Sequence, residues 1–317
     1  MSKDKKILLS GIKPSGELHI GNYFGALKQF VDLQDDYKCF FMIADYHALN
    51  TLQNAQVMKE NIINIALDYL AVGLDPKKAV IFKQSDVSAH TELAWIFEAI
   101  TTMPYLMRAH AFKDAEAKNK DLNVGTFNYP MLMASDILLY DVDVVPVGQD
   151  QKQHIEIARD TAQKFNNTFE TETFKLPEPL IIESVSVVPG IDGQKMSKSY
   201  KNVIPLFAED EVIQKLVMAI VTDSSGGRPE NVYAIHKLFR NEEYLENLYK
   251  EHEGKYKDLK EALAEDIKAF VRPFREKREE LAKNISYVEK ILEEGANQAN
   301  AVAISKLIEA KKALGVL

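Results

Sequence analysis

The sequence predicts an α/β protein in which a doubly wound parallel sheet is followed by an all-helical carboxy-terminal region. In the first two hundred residues, short apolar runs alternate with stretches of helical periodicity, which is typical of βαβ units. From about residue 209 the strand-like runs disappear, and long amphipathic stretches continue almost to the end. The chain of 317 residues, 46% of them apolar, is long enough for two domains with a full core.

The predicted strands are four short apolar runs, at residues 6–10, 39–45, 79–85 and 142–148. Helices are predicted between them at 57–72 and 150–165, where apolar residues recur at helical spacing and the opposite face is polar. In a doubly wound sheet, ligands bind at the carboxyl ends of the strands. We therefore expect the functional residues to follow the strands directly.

Two features interrupt the helical pattern of the later region. Pro273 has no backbone N–H, so we expect it to kink or break the helix that contains it. The glycine-rich segment 222–230 is expected to form a flexible loop.

Composition excludes several classes of protein. The net charge of −8 argues against broad, non-specific binding of nucleic acid, which depends on clustered Lys and Arg. The one cysteine, Cys39, lies in a buried-strand pattern and can form neither an internal disulfide nor a cysteine-rich metal site. No segment approaches the roughly 20 apolar residues of a membrane span or resembles a signal peptide. We predict a cytoplasmic protein without a membrane segment.

The first strand leads through a tight turn into a helix. Gly11, Pro14, Ser15 and Gly16 allow the backbone to bend sharply, and a helix beginning near Ile20 would present free backbone N–H groups at the strand end. This geometry binds anions such as phosphate. Taken alone, it fits a plain connection between a strand and a helix better than a phosphate site.

A second motif favours the phosphate site over a plain connection. The sequence "HIGN" at 19–22 together with "KMSKS" at 195–199 resembles the two signatures of the class I aminoacyl-tRNA synthetases. In that family the first signature binds the adenine and phosphate side of ATP, and the second is a mobile loop on the pyrophosphate. Asn22 stands where many members have a second histidine, a variant familiar in the tryptophan-specific branch.

The chemistry of this family accounts for the residue types. An amino-acid carboxylate is already ionised at pH 7 and attacks the α-phosphate of ATP without a general base. Catalysis then depends on positioning and on neutralising the charge of the leaving pyrophosphate. The resemblance assigns Lys195 and Lys198 to the pyrophosphate oxygens, together with Mg²⁺. It assigns Ser197 and Ser199 to hydrogen bonds that hold the loop closed.

The stretch 128–160 carries a candidate acceptor for a ligand. Tyr129, Met133 and Asp136 are spaced by four and three residues, so they share one face of a helix. A carboxylate beside a methionine and an aromatic ring is either a satisfied polar group of the core or an acceptor for a ligand N–H or O–H.

The blocks between residue 6 and about 225 narrow the resemblance to the bacterial tryptophanyl-tRNA synthetases. They read "GxKPSGxLHIGNYFGAL", "MASDILLYDVDVVPVGQDQKQHIEIARDTAQKFN", "VPGIDGQKMSKS" and "VTDS". The resemblance implies that Asp136 accepts the indole N–H of tryptophan. It places the remaining substrate-binding residues at Gly11, His47, Tyr129, Met133, Val145, Val147 and Gln151.

The same resemblance implies the residues that contact ATP. They are Lys13, Pro14, Ser15, His19, Gly21, Asn22, Gly148, Gln149, Asp150, Val187, Lys195, Met196, Ser197, Lys198 and Ser199. The sequence departs from the family at Lys13, where Gln is usual, and at Leu9, where an aromatic residue is usual. His154 and Glu156, two residues apart on a helix, point to different faces, so we predict no structural metal there.

The resemblance further implies the organisation and partners of the protein. Residues 1–200 would form a Rossmann-like catalytic domain, with a helical insertion at about 104–140 that forms a homodimer interface. Residues 201–317 would form a helical domain that binds the anticodon of tRNA(Trp). The alternatives are a tyrosyl-tRNA synthetase, a nucleotidylyltransferase and a non-enzymatic paralogue that binds tRNA or a regulatory partner. The last two fit less well, because "KMSKS" and Asp136 are both present.

Overall fold

The computed structural model describes residues 5–109, 112–113, 116, 123–148, 152–181, 188–222 and 227–317. At its centre lies a five-stranded parallel sheet with the strand order β3-β2-β1-β4-β5. The strands are β1 Ile7–Ile12, β2 Lys38–Ile43, β3 Ala79–Lys83, β4 Val144–Val147 and β5 Glu178–Ile181.

The order of the strands creates a crevice beside β1. The chain runs outward from β1 through β2 to β3, and then returns to place β4 and β5 on the other side of β1. Leu8 of β1 is in register with Cys39 of β2 on one side and with Val144 of β4 on the other. In such a sheet the crevice at the carboxyl ends of β1 and β4 is the expected ligand site.

Helices cover the sheet and make up the later region. A helical segment follows β1, with α-helical Ile20–Asn22, π-helical Tyr23–Leu27 and α-helical Lys28–Leu33. In the described part of the chain before residue 200, further α-helices include Asp45–Ala48, Ala55–Ala71, Ala89–Ile100, Met103–Leu106, Val124–Leu138 and Lys152–Thr168. Those after it are Asp210–Met218, Glu230–His236, Glu242–Glu251, Tyr256–Ala282 and Ile285–Leu314.

The predicted strands and helices are found within a few residues of their expected bounds. The doubly wound sheet and the helical later region are confirmed. The sequence did not predict β5, a four-residue strand that contains Pro179. A proline cannot donate to a strand ladder, and β5 lies at the edge of the sheet, where one side of the strand needs no such partner.

Pro273, predicted to kink or break its helix, does not break it, because Tyr256–Ala282 continues through it, and the kink stays a prediction. Packing offsets the lost hydrogen bond. The rings of Phe270 and Phe274 lie 5.1 and 5.2 Å from the ring of Tyr23, in the helical segment that follows β1. This aromatic cluster holds the helix on both sides of the proline.

The last helix, Ile285–Leu314, is part of the sheet's packing. Gly295 crosses β3 so closely that a Cβ atom there would lie 1.8 Å from the carbonyl oxygen of Ile81, so only glycine fits. One hydrophobic cluster joins residues on both sides of residue 200, such as Leu27 and Leu263. A second cluster, on the other face of the sheet, includes Phe40 and Tyr140. The division into domains 1–200 and 201–317 stays a prediction.

Within the described ranges, no helix has both the length and the apolar character needed to cross a lipid bilayer. Of the segment 222–230, residues 223–226 lie outside the described part of the chain, so the loop prediction is not addressed there.

Candidate active site

Two cavities meet the turn that follows β1. The first, of about 340 Å³, is lined by seven residues predicted to bind the substrate, namely Gly11, His47, Tyr129, Met133, Asp136, Val145 and Val147. Lys13, Leu9 and Gly148 line it as well. The second, of about 500 Å³, is lined by Ser15, His19, Gly21, Asn22 and all five residues of 195–199. The structure therefore brings both predicted groups to the crevice beside β1.

Asp136 lies in the first cavity with three polar side chains around its carboxylate. Its Oδ2 is 2.7 Å from Nε2 of His47, and its Oδ1 accepts a hydrogen bond of 2.8 Å from Nε2 of Gln84. Nδ1 of His90 lies 2.6 Å from the same Oδ1, although the ring is turned away from a straight hydrogen bond. The residue is only 2% exposed.

The environment of Asp136 keeps its carboxyl group ionised. Burial alone would raise its pKa, but charge interactions and hydrogen bonds with His47 and His90 outweigh burial and lower the pKa to about 2. An ionised carboxylate only accepts hydrogen bonds, and its two oxygens offer about four acceptor positions. Three are occupied by the protein, so one remains for a ligand donor.

The ends of two strands and one helix assemble this carboxylate environment. His47 lies in the short helix Asp45–Ala48 after β2, Gln84 begins the 3-10 turn after β3, and Asp136 lies in the helix Val124–Leu138 before β4. The side-chain oxygen Oε1 of Gln84 also accepts hydrogen bonds from the backbone N–H groups of Tyr46 and His47, at 3.1 and 3.4 Å. Gln84 thus binds both Asp136 and the backbone of the helix that carries His47.

Tyr129 and Lys13 form the cavity wall next to His47. The Tyr129 and His47 rings are 4.4 Å apart, and Nζ of Lys13 lies 5.0 Å from the centre of the Tyr129 ring. Burial lowers the pKa of Lys13, and it raises that of Tyr129 to about 12 with a further contribution from Asp136. Lys13, predicted among the ATP contacts, lies in the same cavity as Asp136.

The second cavity has the character of an anion site. Nζ of Lys198 donates to the carbonyl of Gly16 at 2.9 Å, so the "KMSKS" segment closes over the turn after β1. Burial, and then the charge of Lys198, lower the pKa of His19 to about 4, so His19 is neutral at pH 7. No Asp or Glu is found among the described residues that line this cavity.

The first signature is shaped by close packing. A Cβ atom at Gly21 would lie 2.9 Å from Nδ1 of His19 and 3.4 Å from Cβ of Met196, so glycine lets the two signatures touch. The side-chain oxygen of Asn22 accepts the backbone N–H of His19 at 3.0 Å. Pro14 lies buried beneath the turn, and its carbonyl accepts a hydrogen bond from Asn61.

Asn202, which sequence reasoning did not identify, holds the second signature in shape. Its side-chain oxygen accepts the N–H of Ser197 at 2.7 Å, and its amide donates to the carbonyl of Lys195 at 3.1 Å. The hydroxyls of Ser197 and Ser199 lie 2.8 Å apart. The sequence signal that points to Asn202 is a polar residue three positions after the motif, and the structure shows it to be only 1% exposed.

Gln84, His90 and Tyr140 were also not identified from the sequence. Gln84 could have been found, because it directly follows β3 at the carboxyl edge of the sheet. His90 and Tyr140 lie within helical or turn patterns that carry no such signal. Four predicted residues, Gln149, Asp150, Gln151 and Val187, lie outside the described part of the chain.

Comparisons with known proteins agree with this site. The family described as tRNA synthetases class I (W and Y) matches residues 1–289. A tryptophan–tRNA ligase of Fusobacterium nucleatum is 51% identical, with 98% of each chain covered, and one of Rhodopirellula baltica is 46% identical over 98% of this chain and 99% of its own.

A solved structure extends the comparison. The tryptophanyl-tRNA synthetase of Campylobacter jejuni, complexed with ADP and tryptophan, has a TM-score of 0.91 and 44% identity, covering 98% of this chain and 99% of its own. Matches over nearly the full length of both chains, with the fold and both cavities in place, lead to one conclusion. The chain belongs to the class I aminoacyl-tRNA synthetases and, within them, to the tryptophan–tRNA ligases.

Proposed function

We propose that the protein activates L-tryptophan with ATP and transfers the tryptophanyl group to the 3′ end of tRNA(Trp). In the first step, a carboxylate oxygen of tryptophan bonds to the α-phosphorus of ATP, the bond to the bridging oxygen breaks, and pyrophosphate leaves. The observation that carries the proposal is the buried, ionised Asp136 in an otherwise largely apolar cavity that adjoins the anion site.

The first cavity suits an indole ring. Met133, Val145 and Val147 supply apolar walls, and Asp136 supplies an acceptor for the one N–H that indole carries. Phenylalanine would leave this acceptor unpaired in a buried place. A site built around such a hydrogen bond rejects analogues lacking the donor by roughly four to five powers of ten.

The second cavity suits the phosphates. Lys195 and Lys198 would neutralise the oxygens of the leaving pyrophosphate, and Ser197 and Ser199 would hold the loop over them. Mg²⁺ prefers carboxylates, phosphates and water as ligands. Because the described lining offers no carboxylate, the ion would be carried by the phosphates of ATP and would add to the neutralisation of their charge.

A homodimer is part of the proposal. Trp95, Met103, Met107 and Val124 are exposed apolar side chains on or beside helices that pack together near the predicted insertion. Trp95, the only tryptophan of the chain, is 72% exposed. If a second copy buries this surface, the fluorescence emission of Trp95 should shift to shorter wavelength as the protein concentration rises. If sedimentation shows that the protein dimerises while the Trp95 emission stays unchanged, the interface lies elsewhere.

Recognition of the tRNA anticodon by residues 201–317, and a cytoplasmic location, also belong to the proposal. Truncated tRNA carrying only the acceptor stem should be charged far less efficiently than full tRNA(Trp). Equal charging of the two would remove the anticodon role. Fractionation of the producing cells tests the location.

The decisive experiment is amino-acid-dependent exchange of labelled pyrophosphate into ATP, with tryptophan, tyrosine and phenylalanine run in parallel. Exchange with tryptophan alone is expected. Exchange with tyrosine instead would overturn the specificity and leave the reaction type standing. No exchange with any of the three, in folded protein with Mg²⁺, would favour a non-enzymatic role.

The same assay tests the role of the lysines. Lys195→Ala should lower the exchange rate at saturating tryptophan by about 100-fold, because it removes charge from the transition state more than from the ground state. Tryptophan affinity, measured separately by calorimetry, should change less than threefold. A variant that loses mainly tryptophan affinity would contradict the assignment to pyrophosphate.

A further inference from the structure

A second set of buried side chains lies behind Asp136 and has no contact with the cavity. His90 and Tyr140 are both 0% exposed, and neither lines the cavity that holds Asp136. Nε2 of His90 lies 2.8 Å from the hydroxyl of Tyr140, while its Nδ1 lies 2.6 Å from Oδ1 of Asp136. The three residues form a chain that ends on the predicted indole acceptor.

The distances determine where the protons lie. A lone pair on Nδ1 only 2.6 Å from a carboxylate oxygen would repel it, so Nδ1 carries a proton. In a neutral imidazole the other nitrogen is then an acceptor, and the Tyr140 hydroxyl donates to it. Burial, and then the charge of Asp136, raise the pKa of Tyr140, so its hydroxyl keeps its proton.

The hydroxyl of Tyr140 holds the His90 ring in place. Because it donates to Nε2, the ring has a partner at each nitrogen, and Nδ1 stays beside Oδ1 of Asp136. The titratable groups that face His90 are Asp136 and Tyr140, and His47 lies on the far oxygen of Asp136.

We propose that His90 and Tyr140 are positioning residues for tryptophan selection, an inference that rests on the proposed function. Together with Gln84, His90 occupies Oδ1 of Asp136, whereas Oδ2 meets only His47. The one open acceptor position of the carboxylate is therefore on Oδ2, and it receives the indole N–H. Tyr140 acts through His90 to keep the carboxylate in that orientation.

The chain contains a matched control. Tyr249, His236 and Asp266 form a similar series in the helical region, with the hydroxyl 3.2 Å from Nδ1 of His236 and Asp266 Oδ2 2.9 Å from its Nε2. His236 is also 0% exposed and Tyr249 is 7% exposed. Tyr249→Phe therefore removes the same group from a similar environment, at a residue that lines neither cavity.

The test compares Tyr140→Phe with Tyr249→Phe in pyrophosphate exchange. Without the hydroxyl, the buried His90 ring loses its partner on Nε2 and is free to turn, so it no longer holds Oδ1 of Asp136 in one orientation. The tryptophan KM of Tyr140→Phe should thus rise by about tenfold, the effect of roughly one hydrogen bond. Its kcat and ATP KM should stay within twofold of wild type.

Tyr249→Phe should leave the tryptophan KM within twofold of wild type. An equal rise of the tryptophan KM and the ATP KM in Tyr140→Phe, a rise of the same size in Tyr249→Phe, or an unchanged tryptophan KM in Tyr140→Phe would each overturn the proposal. Absence of exchange in the wild type would instead overturn the proposed function, so the two failures are distinct.

A second variant keeps the proposal testable if Tyr140→Phe does not fold. His90→Gln removes the ring that joins Tyr140 to Asp136, so it should raise the tryptophan KM and leave the ATP KM within twofold of wild type. Adding Tyr140→Phe to His90→Gln should produce no further change in KM. An additional tenfold rise in the double variant would show that Tyr140 acts independently of His90 and would contradict the proposal.

Discussion

The series Tyr140–His90–Asp136 and Tyr249–His236–Asp266 differ in the other side chains that contact the carboxylate. Asp266 receives two hydrogen bonds from Arg240, at 2.9 and 2.6 Å, in addition to His236. Asp136 has no arginine among its described contacts and meets His47, His90 and Gln84. Asp266 joins the helices Glu230–His236 and Tyr256–Ala282, whereas Asp136 opens onto a cavity of about 340 Å³.

The difference separates a structural carboxylate from a recognition site. In both residues burial alone would raise the pKa, and the surrounding donors lower it. A guanidinium with two parallel hydrogen bonds satisfies Asp266 almost completely. Imidazole and amide donors hold Asp136 in place but leave one acceptor position unused. A charge kept incompletely satisfied in a buried cavity favours a ligand that brings the missing donor.

The largest effect is expected when the carboxylate of Asp136 is removed. Asp136→Asn should lower kcat/KM for tryptophan in pyrophosphate exchange by about 100-fold, because a hydrogen bond to a charged group contributes up to roughly 3 kcal/mol. The ATP KM should change little. Asp266→Asn is the control and should keep wild-type exchange per folded molecule. Wild-type tryptophan activation in Asp136→Asn would refute the assignment of the indole acceptor.

The lowered pKa of Asp136 predicts that the free energy of unfolding depends on pH. The pKa of Asp136 is lowered to about 2 from an ordinary value of 3.8, so its ionised form stabilises the fold above about pH 4. This contribution, about 2 kcal/mol, is lost as the pH falls from about 4 to about 2, with about half gone by pH 3. Urea denaturation should show the difference in unfolding free energy between wild type and Asp136→Asn narrowing over that range. A difference independent of pH would contradict the lowered pKa.

The structural carboxylate is expected to matter for stability alone. Asp266→Asn leaves Arg240 and the buried His236 without their charged partner, so the free energy of unfolding should fall by about 1.5 kcal/mol. The estimate is modest because Arg240 is half-exposed and its pairing is weakened by solvent. Chemical denaturation at pH 7 measures the loss. A fall in tryptophan kcat/KM of the folded variant would argue that the two series are coupled.

The smallest expected effect concerns the cation of the first cavity. Lys13 packs over the Tyr129 ring, whereas Arg240 contacts its carboxylate directly. Lys13→Gln restores the residue usual in the family and removes a cation–π contact of about 0.5 to 1 kcal/mol, so kcat/KM should change by about threefold. The acid titration of Asp136 should be unchanged, since Lys13 does not contribute to its lowered pKa. A shift in that titration would place Lys13 on the carboxylate.

Local patterns were sufficient to predict the framework of the protein, and the family resemblance supplied most residues of its candidate site. The apolar runs located four of the five strands, and the helical spacing of Tyr129, Met133 and Asp136 placed all three on one cavity wall. The residues of the second cavity were predicted from the resemblance of two short signatures. The framework is predictable because strand and helix periodicities, and the bend of a Gly/Pro turn, are properties of short segments.

Other features depended on the tertiary structure. Gln84 and His47 reach Asp136 from 52 and 89 residues away, and Asn202 holds the 195–199 loop from outside the motif. The helix containing Pro273 stays intact because distant aromatic rings pack against it. Such contacts depend on which strands become neighbours and where their carboxyl ends align. The packing of the whole sheet decides this, and no short stretch of the chain contains it.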